Sequence, residues 1–319
     1  MMKANVYTEY GPPEVLKYTE VEMPSVGEDE VLVKIEASSI NFGDAALVKG
    51  SPFVARFWSG LFKPKYPIPG GDIAGRVEAA GGRVTQFRQG AEVYADIGHL
   101  GFGAYAEYAA VPEKELVLKP TNATFAESAA VPQAAVVALQ GLRDAGEIQP
   151  GQQVLINGAS GGIGPYAVQI AKAFGAEVTG VCSTRNLDLA RSVGADHVID
   201  YSDEDFTKGE QQYDLIFDIV ANRSVSDYAQ VLTSAGVYVA CAFNATSLFL
   251  GPLISRTRGK KIVSLVHKPN IEDLLVMKEL FEEGKVVSII DRCYPLSELN
   301  EAMRYFDEGN PRGKVVITG

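Results

Sequence analysis

Residues Gly158-Ala159-Ser160-Gly161-Gly162-Ile163-Gly164 carry the clearest chemical signature in the chain. They follow an apolar run at 153–158 and open an amphipathic run at 164–174. Ala159, Gly161 and Gly164 occupy the three positions of a G-x-G-x-x-G fingerprint, with alanine in the first. Gly161, lacking a Cβ, lets backbone N–H groups approach a pyrophosphate, and Gly164 lets the following helix pack closely. Ser160, Gly162 and Ile163 complete the cradle, and the helix N-terminus presents unpaired N–H groups and partial positive charge to an anion. A glycine-rich turn alone often only reverses a chain. Strand, loop, helix and a second strand in the right order make this one a dinucleotide cradle.

The end of the second strand selects the dinucleotide. An NAD site carries Asp or Glu about 20 residues past the loop, bonded to the ribose 2′-hydroxyl. Here that place is Cys182-Ser183-Thr184-Arg185-Asn186, with no carboxylate until Asp188. A hydroxyl and a guanidinium suit a 2′-phosphate that a carboxylate would repel, so Ser183 and Arg185 favour NADP(H). The competing reading makes Arg185 an ordinary surface arginine and Ser183 a helix cap. Tyr201, after the third strand, offers a hydroxyl at the adenosine end. Ala242 and Phe243, at the end of the fifth strand, are counted with the cofactor contacts, and 243–250 is a second possible pocket wall.

No metal site is expected. Catalytic zinc takes about three Cys, His, Asp or Glu ligands. Cys182, Cys241 and Cys293 are far apart, there is no C-x-x-C, and His99, His197 and His267 form no paired spacing with them. Cys182 and Cys241 fall at the ends of interior strands, where a small buried thiol is the simpler reading.

These residues need a scaffold. The chain has 319 residues, 46% hydrophobic and 22% charged, which fits one large or two ordinary globular domains. Short β-like runs at 31–40, 72–81 and 105–111, punctuated by Gly and Pro, predict a barrel-like β domain over 1–122. Thr124 and Glu127 form a capping box that opens a helical stretch. Strands at 153–158, 177–182, 197–200, 214–220, 237–242 and 261–266 alternate with helices at 164–174 and 187–193. That alternation predicts a doubly wound parallel sheet, a Rossmann domain over 123–268. A helix at 271–283, a strand at 286–291, a helix at 297–306 and a strand at 314–319 return to the first domain as 269–319. The fold class is therefore α/β, with a second, β-rich domain. A net charge of −11 argues against nucleic-acid partners and stable membrane insertion. The N-terminus lacks a secretory pattern and the few cysteines suit a reducing compartment, so the cytoplasm is the expected location.

As a set, Asn41-Phe42-Gly43-Asp44, residues 69–77, the loop 158–164, residues 194–201 and Gly313-Lys314-Val315-Val316 resemble the medium-chain dehydrogenase/reductase superfamily. Within it, they resemble the zinc-free NADPH:quinone oxidoreductase family. The resemblance implies a GroES-like N-terminal domain, an inserted Rossmann domain and a homodimer. Zinc alcohol dehydrogenases of the superfamily carry Cys near Asn41 and Gly-His-Glu near Gly71-Asp72, so both metal positions are lost. This chain also departs from the family: Asn41-Phe42-Gly43-Asp44 replaces N-P-x-D, and Val136-Val137-Ala138 replaces Leu-Thr-Ala, which removes a hydroxyl expected near the nicotinamide.

Without a metal, a simple alkoxide is poorly stabilised, whereas a quinone or conjugated carbonyl spreads the charge itself. The expected activity is hydride transfer from NADPH to such an acceptor. Reduction of the C=C bond of alkenals, enones or enoyl thioesters is the alternative, and an NADPH-binding sensor or structural protein is a reading of another class. Asn41 and Asp44 are the candidate catalytic residues. Asn41 would bond the cofactor ribose or the substrate carbonyl, and Asp44 would chiefly order its loop. Lys314 would reach the cofactor, unless it is an exposed strand lysine. The aromatic stretch 53–62 is a lid over a flat acceptor, part of the core, or a weakly membrane-touching helix.

Overall fold

A computed structural model describes residues 1–53, 56–241, 260–309 and 311–319, with Trp58 described by its backbone alone. Ala242, Phe243 and the possible pocket wall at 243–250 lie outside the described residues. The described strands are β1 (Met2–Val6), β2 (Lys17–Val21), β3 (Glu30–Ile40), β4 (Asp72–Ala80), β5 (Glu92–Asp96), β6 (Tyr108–Pro112), β7 (Val117–Leu118), β8 (Gln153–Asn157), β9 (Glu177–Cys182), β10 (His197–Asp200), β11 (Tyr213–Asp218), β12 (Leu232–Ala240), β13 (Lys261–Ser264), β14 (Ile290–Pro295) and β15 (Lys314–Thr318). The α-helices are α1 (Phe42–Lys49), α2 (Arg56–Ser59), α3 (Phe125–Ala129), α4 (Pro132–Leu139), α5 (Gly164–Ala173), α6 (Leu187–Ser192), α7 (Val225–Gln230), α8 (Ile271–Glu282) and α9 (Leu299–Gly309).

The chain divides into two compact units, Met1–Ala134 with Pro269–Gly319, and Ala135–Lys268. The expected boundary at 122/123 thus falls earlier than the observed one. The intervening α3 packs on β3, β4 and β15, which are strands of the first unit. Its start is the expected capping box: Thr124 Oγ1 accepts the Glu127 N–H at 3.2 Å, and Glu127 takes the Thr124 N–H at 2.7 Å.

The first unit is built on a sheet of order β14-β15-β3-β4-β5-β7, with β6 also pairing β3 and a separate β1-β2 ribbon. The pairs are antiparallel except β14 with β15. Val31, Val33, Ile35, Ile73, Val77 and Val93 bury one face, as alternation along half-buried strands requires. The strand expected at 286–291 lies later, at β14. Val286 gives its N–H to the Leu280 carbonyl at the end of α8, so the run begins as a helix terminus and pairs only from Ile290.

The second unit is a six-stranded sheet of order β10-β9-β8-β11-β12-β13, parallel throughout. That is the 3-2-1-4-5-6 order of a dinucleotide-binding fold, with its switch point between β8 and β11. Near-continuous apolar strands fit a sheet covered on both faces, and Leu155, Val181, Ile216, Tyr228 and Tyr238 share one core.

Candidate active site

In the second unit, the sequence-predicted cradle follows β8. Gly158 and Ala159 both donate to the Val181 carbonyl of β9 at 3.0 Å, which ties the loop's start to the neighbouring strand. A Cβ on Gly164 would lie 2.1 Å from the Gly158 oxygen and 2.5 Å from the Ala159 carbonyl carbon. The third glycine therefore brings the first turn of α5 against the loop's own start. Gly161 faces open space, as a close approach by phosphate requires. Alanine is tolerated at the first position because Gly180 stands opposite: a Cβ there would be 3.0 Å from the Ala159 methyl.

Ser183 and Arg185 sit just past β9, Ser183 half-buried and Arg185 exposed. Ser183 precedes a single 3-10 turn, Thr184–Asn186, and its hydroxyl makes no cap bond to that turn's N–H groups. Sequence reasoning missed Asn186. This buried amide donates to Ser160 Oγ at 3.0 Å and to Ser183 Oγ at 3.2 Å, joining cradle to selector. Its Oδ1 is buried without a partner. An unsatisfied polar atom beside two hydroxyls fits a site built for a polar group. Asp200 was also missed. It ends β10 in register with Cys182, so an acid does stand beside the β9 terminus, brought there by strand pairing and not by spacing. The Thr184 hydroxyl and the Ser202 N–H hold its carboxyl below the usual range. Tyr201, next along the chain, is exposed, and its N–H bonds the Cys182 carbonyl at 3.1 Å.

At the switch point a buried carboxylate, Asp218, ends β11. It accepts from Asn157 Nδ2 at 2.9 Å, Tyr238 Oη at 2.7 Å, and the N–H groups of Val220 and Ala221 at 3.2 and 2.9 Å. Ala221 is held at φ 56°, a conformation rare outside glycine. The bracketed turn meets the cradle, since a Cβ on Gly158 would lie 2.7 Å from Val220 Cγ2. An aspartate ending a continuous apolar strand, DLIFDIV, was the available signal. Burial and the nearby Asp218 charge push the Cys241 thiol up to about 12, and burial pushes Cys182 to about 11. Both thiols therefore stay protonated near neutral pH, which does not suit a nucleophile.

In the first unit, Asn41, Asp44 and Lys314 come together from opposite ends of the chain. Asn41 caps α1, and its N–H is accepted by Asp44 Oδ2 at 2.9 Å. Lys314 is no exposed strand lysine: it is 2% exposed and donates to the Ile40 carbonyl at 3.3 Å and to Asn41 Oδ1. Asp72, unnoticed in the sequence as a partner, accepts from Asn41 Nδ2 and Ser39 Oγ, both at 2.8 Å, and from the Gln133 N–H at 3.1 Å. It lies 3.7 Å from the Lys314 ammonium. Burial lowers the Lys314 pKa, against the pull of Asp72 and Asp44. Phe53, Phe57, Leu61 and Phe62 are exposed, Phe62 by 90%, so these side chains are not core. Among the described residues no cluster of three or more His, Cys, Asp and Glu side chains is placed to hold a metal, and no helix is long and apolar enough to cross a membrane.

Burial, reinforced by the Asp72 charge, raises the Asp44 carboxyl to about 7 from an ordinary 3.8. A carboxyl whose pKa is raised in the fold contributes stability at low pH and loses it as pH rises through the folded value. The Asp44→Asn variant should therefore gain on the wild type as pH climbs from about 5 to 8, by on the order of 1–3 kcal/mol. Urea midpoints at the two pH values check this. A difference that does not change with pH would remove Asp44 as a neutral, buried acid.

Fold and site together define a two-unit oxidoreductase with a dinucleotide-binding sheet and a separate polar centre on a β-rich scaffold. Family models for an alcohol dehydrogenase GroES-like domain and for a zinc-binding dehydrogenase match residues 27–121 and 193–317. The chain is 33% identical to a chloroplast envelope quinone oxidoreductase homolog of Arabidopsis thaliana, covering 99% of this chain and 98% of that protein. It is 32% identical to an NADPH-dependent alkenal/one oxidoreductase of the same plant, covering 99% and 79%. The solved quinone oxidoreductase of Coxiella burnetii superposes with a TM-score of 0.88 at 30% identity, covering 100% of this chain and 99% of that one. The chain belongs to the medium-chain dehydrogenase/reductase superfamily, in its quinone oxidoreductase-like branch, and is an oxidoreductase that uses a nicotinamide cofactor.

Proposed function

We propose that this protein uses NADPH to reduce a quinone or a related conjugated carbonyl, without zinc. The observation that carries the reading is the Asn41–Asp72–Lys314 centre. A zinc ion needs anionic or imidazole ligands and an open position. Here the would-be ligand positions hold a neutral amide and a carboxylate that already accepts three hydrogen bonds, with an ammonium 3.7 Å away. These residues do not fit zinc. An acceptor that delocalises its own developing charge suits such a site.

The second unit's residues fit NADP(H). Loop 158–164 receives the pyrophosphate, with Gly161 giving it room. Ser183 and Arg185 take the 2′-phosphate, Asn186 holds Ser160 and Ser183 in place, and Tyr201 flanks the adenosine. When bound, the cofactor supplies the hydride. In the first unit Asn41 faces the acceptor or the ribose, Asp44 orders the Asn41 backbone, and Lys314 acts through Asn41 rather than on the cofactor directly. The alkenal/one relative supports C=C reduction as the second reading.

Titrating both cofactors by fluorescence tests the assignment. NADPH should bind more tightly than NADH. Arg185→Ala should weaken NADPH by about 1–3 kcal/mol, the worth of a hydrogen bond to a charged group, and leave NADH nearly unchanged. Equal affinities in the wild type would sink the choice of cofactor.

A homodimer joined through β13, in the cytoplasm, completes the reading. Among the described residues this strand ends the sheet order, and it is β-branched at Ile262 and Val263, which suits self-complementary pairing with a twofold copy. Light scattering should report a dimer, and Val263→Pro should shift it toward monomer by removing a ladder donor. A wild-type monomer, or a fully dimeric variant, would exclude this interface.

A further inference from the structure

Asn41 lies between opposite charges, and that arrangement decides which way round its amide sits. Oδ1 accepts from the Lys314 ammonium, and Nδ2 donates to Asp72 Oδ2 at 2.8 Å. An ammonium has only donors and an ionised carboxylate only acceptors. The flipped amide would set NH2 against ammonium and oxygen against carboxylate, two repulsions in place of two charge-assisted bonds. Both partners are themselves fixed. Lys314 also donates to the Ile40 carbonyl, while Asp72 also accepts from Ser39 and the Gln133 N–H. All three side chains are buried, Asn41 retaining 7% exposure. One hydrogen on Nδ2 is not used by these bonds.

We propose that Lys314 and Asp72 are positioning residues that hold Asn41 as a hydrogen-bond donor, so the site offers the acceptor's oxygen an N–H and never a C=O. The inference rests on the reading above, in which a carbonyl-bearing acceptor binds at Asn41. As that acceptor gains a hydride from the nicotinamide, an electron pair moves onto its oxygen, and a proton from water completes the reduction. A donor already aimed at that oxygen stabilises the charge without reorganising. The ammonium behind Oδ1 polarises the amide and strengthens the remaining N–H as a donor. Lysine thus serves without touching the acceptor.

A mutant cycle with turnover and a ligand-free measurement tests this. Asn41→Ala should lower kcat by about 10²-fold, the loss seen when one oxyanion donor is removed. Lys314→Met should lower it by roughly tenfold or more, and the Asn41→Ala/Lys314→Met double variant no further than Asn41→Ala alone, as for residues acting as one unit. Multiplying losses would overturn the proposal. In the ligand-free protein, hydrogen exchange at the Asn41 side-chain amide, followed by NMR, should be slow and should speed up by about tenfold or more in Lys314→Met. The Lys314→Met/Asp72→Asn variant, which removes both members of the ion pair together, should show the same acceleration if the single variant folds poorly. Unchanged exchange in a folded variant would overturn the positioning. Accelerated exchange with a fully active Asn41→Ala enzyme would uphold the positioning and reject the acceptor contact instead.

Discussion

Gly164→Ala is expected to lose dinucleotide binding by at least about 10²-fold while leaving a folded first unit. The new methyl would lie 2.1 Å from the Gly158 oxygen and 2.7 Å from the Ala159 Cα, both backbone atoms of the loop's start. Neither can rotate away as a side-chain tip would. Gly158 and Ala159 are pinned in turn to the Val181 carbonyl. Relief must come from moving the start of α5, which carries the N–H groups that face the phosphate. Overpacking of this kind costs about 1–3 kcal/mol in stability, and the displaced cradle loses its aim as well. Fluorescence titration with NADPH reads the binding, and circular dichroism checks that the fold survives. Wild-type affinity in the variant would show that residues 158–164 do not hold the cofactor.

The largest loss of stability is expected from Asp218→Ala. Four donors converge on this fully buried carboxylate, and alanine removes their shared acceptor: Asn157 Nδ2 keeps Asn222 Oδ1 and Tyr228 Oη, but the Val220 and Ala221 N–H groups lose their bond to it. Each buried group left unsatisfied costs about 1–3 kcal/mol, so a total on the order of 3–5 kcal/mol is expected after partial relaxation. The second unit should unfold at markedly lower urea concentration. Ala221, held at a positive φ by the same carboxylate, should relax and release the turn that meets Gly158. Asp218→Asn keeps one acceptor oxygen and should fall between. A wild-type urea midpoint in Asp218→Ala would show that the bracket contributes nothing.

The Rossmann sheet was legible almost strand by strand, because a buried parallel strand is a continuous apolar run and its helices keep a different period. Five of its six strands were placed to within a residue or two, and β12 extends back to Leu232 from the expected 237. The apolar run at 286–291 misled because a helix terminus and a strand start share the same residues there. The phosphate loop was legible since its constraint is steric and local. What stayed hidden is what strand pairing and tertiary packing assemble. Asp200 reaches the β9 terminus only through parallel register, and Asn186 is a short amide whose burial no periodicity announces. Lys314 and Asp72 meet Asn41 across 273 and 31 residues of chain. On sequence alone Lys314 reads as reaching the cofactor or as an exposed strand lysine, and Asp72 only as part of a motif; the folded first unit turns them into one centre with Asn41.

The proposed reaction moves a hydride from NADPH to an acceptor whose oxygen carries delocalised charge, with no zinc. Steady-state NADPH oxidation by metal-stripped protein tests it most directly, run with a quinone, an alkenal, an enoyl thioester and a simple saturated ketone as acceptors. Turnover is expected with the quinone or another conjugated carbonyl, unchanged by chelator, and none with the saturated ketone. Turnover that needs added zinc, or that favours the saturated ketone, would contradict it, and so would the absence of turnover with every conjugated acceptor.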